Sequence, residues 1–265
     1  MRLFVATSEF FTESRGYKLA YIHRTLTELS CIKTEFTKAV ITINPVPSEK
    51  FTEILQTLSD IPMAIEVRVF SGDLSNPYML CWEHKKYLSE VVNQGYTHFL
   101  YYENDQLVTQ SSLDYWTNAR DMFLRNGLNF IPAFHRVEHN TNGEIYSMDC
   151  LRPVDRSKRP ILEFQGQRFI SMCQPYQGMY MMDLDLVSEH FASKFFSYND
   201  SYGWGIPEQA NIGNMFDNIP QGFEHRLLVP LDRFSDCWIH HIQNKYVNDP
   251  DDLFAKIPIK SLFIG

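Results

Sequence analysis

Residues 97–105 read Thr-His-Phe-Leu-Tyr-Tyr-Glu-Asn-Asp. An apolar run ends in two carboxylates, Glu103 and Asp105, with Asn104 between them. Hard divalent cations such as Mg²⁺ or Mn²⁺ take oxygen ligands, and two carboxylates at the tip of a buried strand can hold one against a substrate's phosphates. The same triplet also suits a solvated turn. Near the C-terminus, Trp238-Ile-His240-His241 is followed by Lys245. Either histidine could complete a metal site begun by Asp105, and Lys245, one helical turn beyond His241, could meet a phosphate. The bland alternative is a histidine pair packed on Trp238.

A third group is Tyr202-Gly-Trp204-Gly-Ile-Pro-Glu208. Aromatic faces stack on sugar rings, and a half-buried Glu can take a proton from a hydroxyl. It equally suits a loop whose Trp fills the core, with Glu208 in a helix first turn. Tyr176 and Gly178 sit in Gln174-Pro-Tyr-Gln-Gly, where glycine either admits a ligand or bends the chain into a strand. His84 and Lys85 could reach a diphosphate or lie on a solvated helix face.

The elements that must position these groups alternate. Strand-like runs at 2–7, 39–43, 65–70 and 97–102 are separated by helix-like runs at 16–29, 48–58 and 77–93. Ser48 reads as the cap of the second helix. This order predicts an α/β protein with a parallel sheet and helices on both faces. Ligands of such sheets sit at the strands' carboxyl ends. Thr7, Ser8, Glu9 and Arg15 follow the first strand, where a base or ribose would lie, and Asp73 follows the third. Further on, 128–139 and 144–149 read as a hairpin closed at 140–143, 151–167 as a long loop, 178–182 as a strand, 183–192 as a helix, and 209–216 as a helix.

Composition narrows the classes. The 265 residues are 44% hydrophobic and 21% charged, as in ordinary globular proteins. Net charge −8 argues against nucleic acid as a partner. Five widely spaced cysteines without C-x-x-C indicate neither a zinc knuckle nor a disulfide framework. G-x-G-x-x-G, the P-loop and G-x-S-x-G are absent. No signal peptide and no apolar span is read, so the expectation is a cytoplasmic protein, with peripheral membrane contact and oligomeric state left open. One domain is expected, with a nucleotide-binding half at 1–110 and an acceptor half at 111–265.

Together these residues resemble a GT-A-fold glycosyltransferase dependent on a nucleotide sugar. Glu103-Asn104-Asp105 looks like that family's DxD element, with Glu in the first place. The Gly-Trp-Gly loop with Glu208 is similar to the acceptor loop of β-1,4-galactosyltransferases, and His240/His241 with Lys245 looks like the tail of family-eight glycosyltransferases. The resemblance implies a GT-A-like sheet with a smaller mixed acceptor half. It implies Mn²⁺ or Mg²⁺ at Asp105, Glu103, His240 and His241, and a UDP-linked donor at Thr7, Ser8, Arg15, Asp73, His84, Lys85, Glu103, Asn104 and Lys245. It also implies a glycan or glycolipid acceptor at Trp204, Tyr202, Tyr176 and Gly178, with Glu208 and Asp105 catalytic and a role in polysaccharide biosynthesis. A non-catalytic sugar-binding protein on the same fold is the alternative. A sugar nucleotidyltransferase ranks last, because Ser-Glu-Phe-Phe-Thr-Glu replaces the basic glycine-rich loop expected after the first strand.

Overall fold

The computed structural model describes residues 1–12, 18–72 and 74–265. Arg15 and Asp73 therefore lie outside the described residues. Contacts gather the chain into two units, Met1–Asp105 with Gly178–Asn214, and Gln106–Gln177 with Met215–Gly265.

The first unit is built on a five-stranded sheet. Its strands are β1 (Arg2–Glu9), β2 (Phe36–Ile43), β3 (Ala64–Val69), β4 (His98–Tyr102) and a return strand, Met179–Asp183. The spatial order is return strand, β4, β1, β2, β3, with only the return strand antiparallel. This is the α/β architecture expected from the alternating pattern. Helix α1 (Lys18–Ser30) buries Leu19, Ile22, Leu26 and Leu29, which recur at helical spacing. Burying each contributes roughly 1.5–3 kcal/mol. Helix α2 (Ser48–Leu58) buries only Ile54 and Leu58, and Leu55 faces solvent. Its N-cap is Pro47 rather than Ser48, with no side-chain cap bond. The span 77–93 divides into a tight turn of helix, Pro77–Trp82, and α3 (Glu83–Val91). Edge strand β3 carries Glu66 and Arg68, in ion pairs with Lys38 and Glu90, which discourages pairing with another chain.

The second unit holds α4 (Gln110–Arg125), capped by Thr109 and Ser112, and short strands in mixed sheets. The apolar run at 128–139 is two strands in different sheets. Ile131–Pro132 pairs with Leu227–Leu228, and His135–His139 pairs with Trp238–His240 and with Ile145–Ser147. The hairpin turn at 140–143 forms, held by the Asn140 side chain. The segment 151–167 is not a loop throughout. Val154–Asp155 pairs with Phe263–Ile264, and Ile161–Phe164 forms a hairpin with Gln167–Ile170. The helix expected at 209–216 lies earlier, at Ile206–Ala210, in the first unit. Among the described residues, no helix is long and apolar enough to cross a membrane.

Candidate functional site

The chain runs β1, β2, β3 to one side and then returns to place β4 on the other side of β1. The order reverses between β1 and β4, and at such a reversal the carboxyl ends of neighbouring strands open a crevice. The residues leaving β1 and β4 meet there.

From β4, the Glu103 N–H donates to Gly178 O at 3.1 Å, extending the pairing toward the return strand. Gly178 has φ +62°, where a Cβ is disfavoured, so it serves as the bend into that strand. Asn104 turns inward. Its Nδ2 donates to the Glu9 carboxylate and, at 3.4 Å, to Ser8 O, while its carbonyl accepts from Thr25 Oγ1 at 3.3 Å. Asn104 thus ties the acidic turn to β1 and α1. Asp105 is buried, at 8% exposure. Glu9, also buried, forms an ion pair with Lys18. Burial raises the Glu9 carboxyl; Lys18 and Asn104 oppose that shift, and the charge of Asp105 adds to it. Burial pushes the Tyr101 phenol well above its ordinary value, and the Ser8 side chain opposes that shift. The Cys81 thiol donates to Tyr78 O at 2.9 Å and is pushed up to about 12 by burial, with the charge of Glu103 adding to the shift. After β2, the Asn44 side chain accepts from Phe11 N at 2.6 Å and donates to Phe11 O at 3.1 Å, fixing the segment that leaves β1.

Ser8, Glu103, Asn104 and Asp105 therefore lie together where β1 and β4 end. Thr7 is not available to a ligand. It points to the opposite side of β1 from Ser8, is 2% exposed, and its hydroxyl has no partner among the described residues.

His84 and Lys85 need a different account from diphosphate binding. The His84 ring stacks on Tyr101, centroids 3.6 Å apart at 11°, and its Nδ1 lies 2.5 Å from Cys81 O. Burial, then the charge of Lys85, lowers it well below the usual histidine value, so it is neutral. Lys85 Nζ lies 2.6 Å from His190 Nε2 and near the faces of Trp82, Tyr180 and Phe196. Both side chains are interior. Lys85→Met should lower stability by ~1–3 kcal/mol, because His190 loses a buried partner. Nucleotide affinity should stay unchanged by calorimetry, and a tenfold loss would return Lys85 to the ligand.

In the 198–208 loop, Gln209 is buried and clamps both ends. Its Oε1 accepts from Asn199 N at 3.2 Å, and its Nε2 donates to Trp204 O at 2.9 Å. Tyr202 is half-buried, with its hydroxyl on Lys194 O and its ring against Phe195. Packing there, rather than an acceptor floor, accounts for it. Trp204 is 38% exposed. Glu208, in the first turn of Ile206–Ala210, folds back so far that a Cβ on Gly205 would stand 2.2 Å from its Oε2.

In the second unit, His241 Nδ1 lies 2.5 Å from Glu138 Oε1, both buried, and Glu138 Oε2 accepts from Val247 N at 2.7 Å. His240 Nδ1 lies 2.9 Å from His139 Nε2, with the rings stacked. Lys245 is exposed, its ammonium over the Tyr246 ring. Tyr176 lies under the guanidinium of Arg136, itself in a buried ion pair with Asp149, so its role is packing. Among the described residues, no group of three or more His, Cys, Asp or Glu is disposed to hold a metal ion.

No family model matches the chain, and no curated protein matches it. Among solved structures, it is similar to S. aureus TarS 1-349, with 9% identity, TM-score 0.45, and 91% of this chain and 60% of that one covered. It is also similar to the glycosyltransferase GlyE of Streptococcus pneumoniae TIGR4, with 11% identity, TM-score 0.41, and 85% and 44% covered. The chain thus spans 60% and 44% of the lengths of these two proteins.

Lys18, Thr25, Asn44, Cys81 and Gln209 escaped the sequence analysis. Asn44 carried a signal, since Asn-Pro marks a turn directly after a strand. His84, Leu88 and Val91 share one helical stripe, which could have shown His84 as interior. The bonds of Lys18 and Gln209 cross loops to partners five to ten residues away, which no helix or strand periodicity marks.

Proposed function

We propose that the chain transfers a sugar from a nucleotide diphosphate sugar, UDP-linked, to a hydroxyl of a glycan or glycolipid. The observation behind this reading is the convergence of Ser8, Glu9, Glu103, Asn104 and Asp105 at the reversal of strand order. Mg²⁺ or Mn²⁺ suits the donor chemistry there, because such ions are commonly held by one or two carboxylates together with substrate phosphates rather than by an all-protein cage. Asp105 and Glu103 would hold it, and it would neutralise charge on the leaving diphosphate. His240 and His241 belong to the second unit and are given no part in this step.

The chain's own groups have separable tasks. Asn104 fixes the acidic turn against β1 and α1, which holds Glu103 and Asp105 beside the end of β1. Ser8 and the Asn44-fixed segment after β1 border the space for the nucleoside. Trp204 offers its exposed face to an acceptor sugar. In an inverting reaction, Glu208 takes the acceptor proton after swinging off Gly205. Glu208→Gln should lower kcat by about 10²–10⁴-fold and leave donor affinity intact. A kcat within threefold of wild type would remove Glu208 from the chemistry.

One observation favours a second reading, a sugar-binding protein without catalysis: the Glu208 carboxylate is folded onto its own helix turn. Turnover of nucleotide sugar, measured with and without acceptor, separates the two. Release of nucleotide diphosphate supports the transferase. Binding without release supports the second reading.

A further inference from the structure

The second unit contains a cavity of about 570 Å³, lined by residues of that unit alone, between α4 and the hairpin Ile161–Phe164/Gln167–Ile170. Its size lies within the roughly 300–1,000 Å³ of small-molecule sites. Phe169, Met122 and Pro230 give it an apolar part.

The charges around it are already answered. Arg168 holds Asp232 through Nε contacts of 3.0 and 3.2 Å, and Arg233 holds Asp236 at 2.7 Å. Asp114 accepts from Gln110 at 2.7 Å. Two guanidinium groups against three carboxylates leave no surplus cation for a phosphate or an acidic sugar. The amides differ. The side chains of Asn118, Gln165 and Gln167 are exposed along the cavity, and each offers both a donor and an acceptor. Such groups match hydroxyls, which also donate and accept. Gln165 sits at φ +50° and Gly166 at +74°, in the two-residue turn of the hairpin. A non-glycine residue held in that region is strained, and here the turn carries an amide to the cavity rim.

We propose that this cavity is a saccharide subsite that binds a neutral oligosaccharide through amide–hydroxyl hydrogen bonds over an apolar patch. Its assignment to the acceptor glycan rests on the transfer reading above; the chemistry of the cavity does not. A nucleotide sugar's phosphates would find no unpaired cation in it among the described residues.

The test uses the full chain on an array of neutral oligosaccharides and their phosphorylated and sialylated counterparts, followed by titration of the strongest neutral hit. Asn118 is an exposed position on α4, so Asn118→Trp fills the cavity without touching the core. Gln167→Ala removes one amide and fills nothing. Neutral glycans should bind and acidic ones should not, with affinity falling at least tenfold in Asn118→Trp and roughly three- to tenfold in Gln167→Ala. The thermal shift produced by UDP-sugar with Mn²⁺ should be unaltered in both. Absence of neutral-glycan binding, preference for acidic glycans, or binding indifferent to both substitutions overturns the proposal. Glycan binding lost in Asn118→Trp, in a chain that shows no shift with any nucleotide sugar, would instead sink the transfer reading and leave the subsite standing.

Discussion

Asp105→Asn should abolish the metal-dependent part of donor affinity and slow sugar transfer by on the order of 10³-fold or more. The substitution keeps the volume of a buried side chain and removes only its charge. Two protein carboxylates are few for a divalent ion, so losing one should matter more here than in a site with a full protein cage. The fold should tolerate the change. Burial already raises the Glu9 carboxyl, and the charge of Asp105 raises it further. Removing that charge relieves a like-charge repulsion, so thermal stability should hold or rise while activity collapses. Calorimetry of a UDP-sugar with and without Mn²⁺, beside initial rates of nucleotide release, reads both effects. Wild type should lose donor affinity on chelation, and Asp105→Asn should be indifferent to it. A variant within threefold of wild type, with the same dependence on Mn²⁺, would refute the role given to Asp105.

The parts legible in the sequence are those whose partners lie close along the chain. The stripe Leu19, Ile22, Leu26, Leu29 specifies α1 because helical periodicity is local. The run ending at Tyr102 specifies β4, and the carboxylates after it fall at its tip by necessity. Pairings chosen by distant strands are not legible in this way. Apolar residues at 131–132 and 135–139 look like one strand, yet Leu227–Leu228 and Trp238–His240 draw them into different sheets. The charged segment around Val154 gains strand character only from Phe263–Ile264, more than a hundred residues away. Residues 178–214 likewise return to the first unit, so Gly178 and Glu208 share a unit with Asp105 while Tyr176 does not. The settings of the two histidines are hidden for a related reason. Sequence shows their type, but Glu138 and His139, which bond them, come from a neighbouring strand.

Those interior histidines carry the second large effect, a loss of stability between pH 7.5 and 5. Burial lowers His84, His135, His190 and His225, so each is folded in as a neutral ring. His135 is lowered to about 4; Asp149 opposes the shift and Arg136 adds to it, while Nε2 lies 2.9 Å from Ser147 Oγ. A depressed histidine binds a proton more readily in the unfolded chain. Its stabilisation is therefore complete above about pH 6.5 and is lost as pH falls toward 4. For His135 the loss at pH 5 is about 2 kcal/mol. His84, His190 and His225 act in the same direction. Glu9 works the other way: its raised carboxyl protonates more easily in the folded state and returns some stability on acidification. Four neutral rings against one raised carboxyl leave a net acid-induced loss, seen as a lower urea midpoint at pH 5 than at pH 7.5. His135→Gln can still bond Ser147 and cannot titrate, so its drop should be smaller than wild type by about 2 kcal/mol. Equal midpoints at the two pH values would mean that these rings are protonated, or reached by water, in the folded protein.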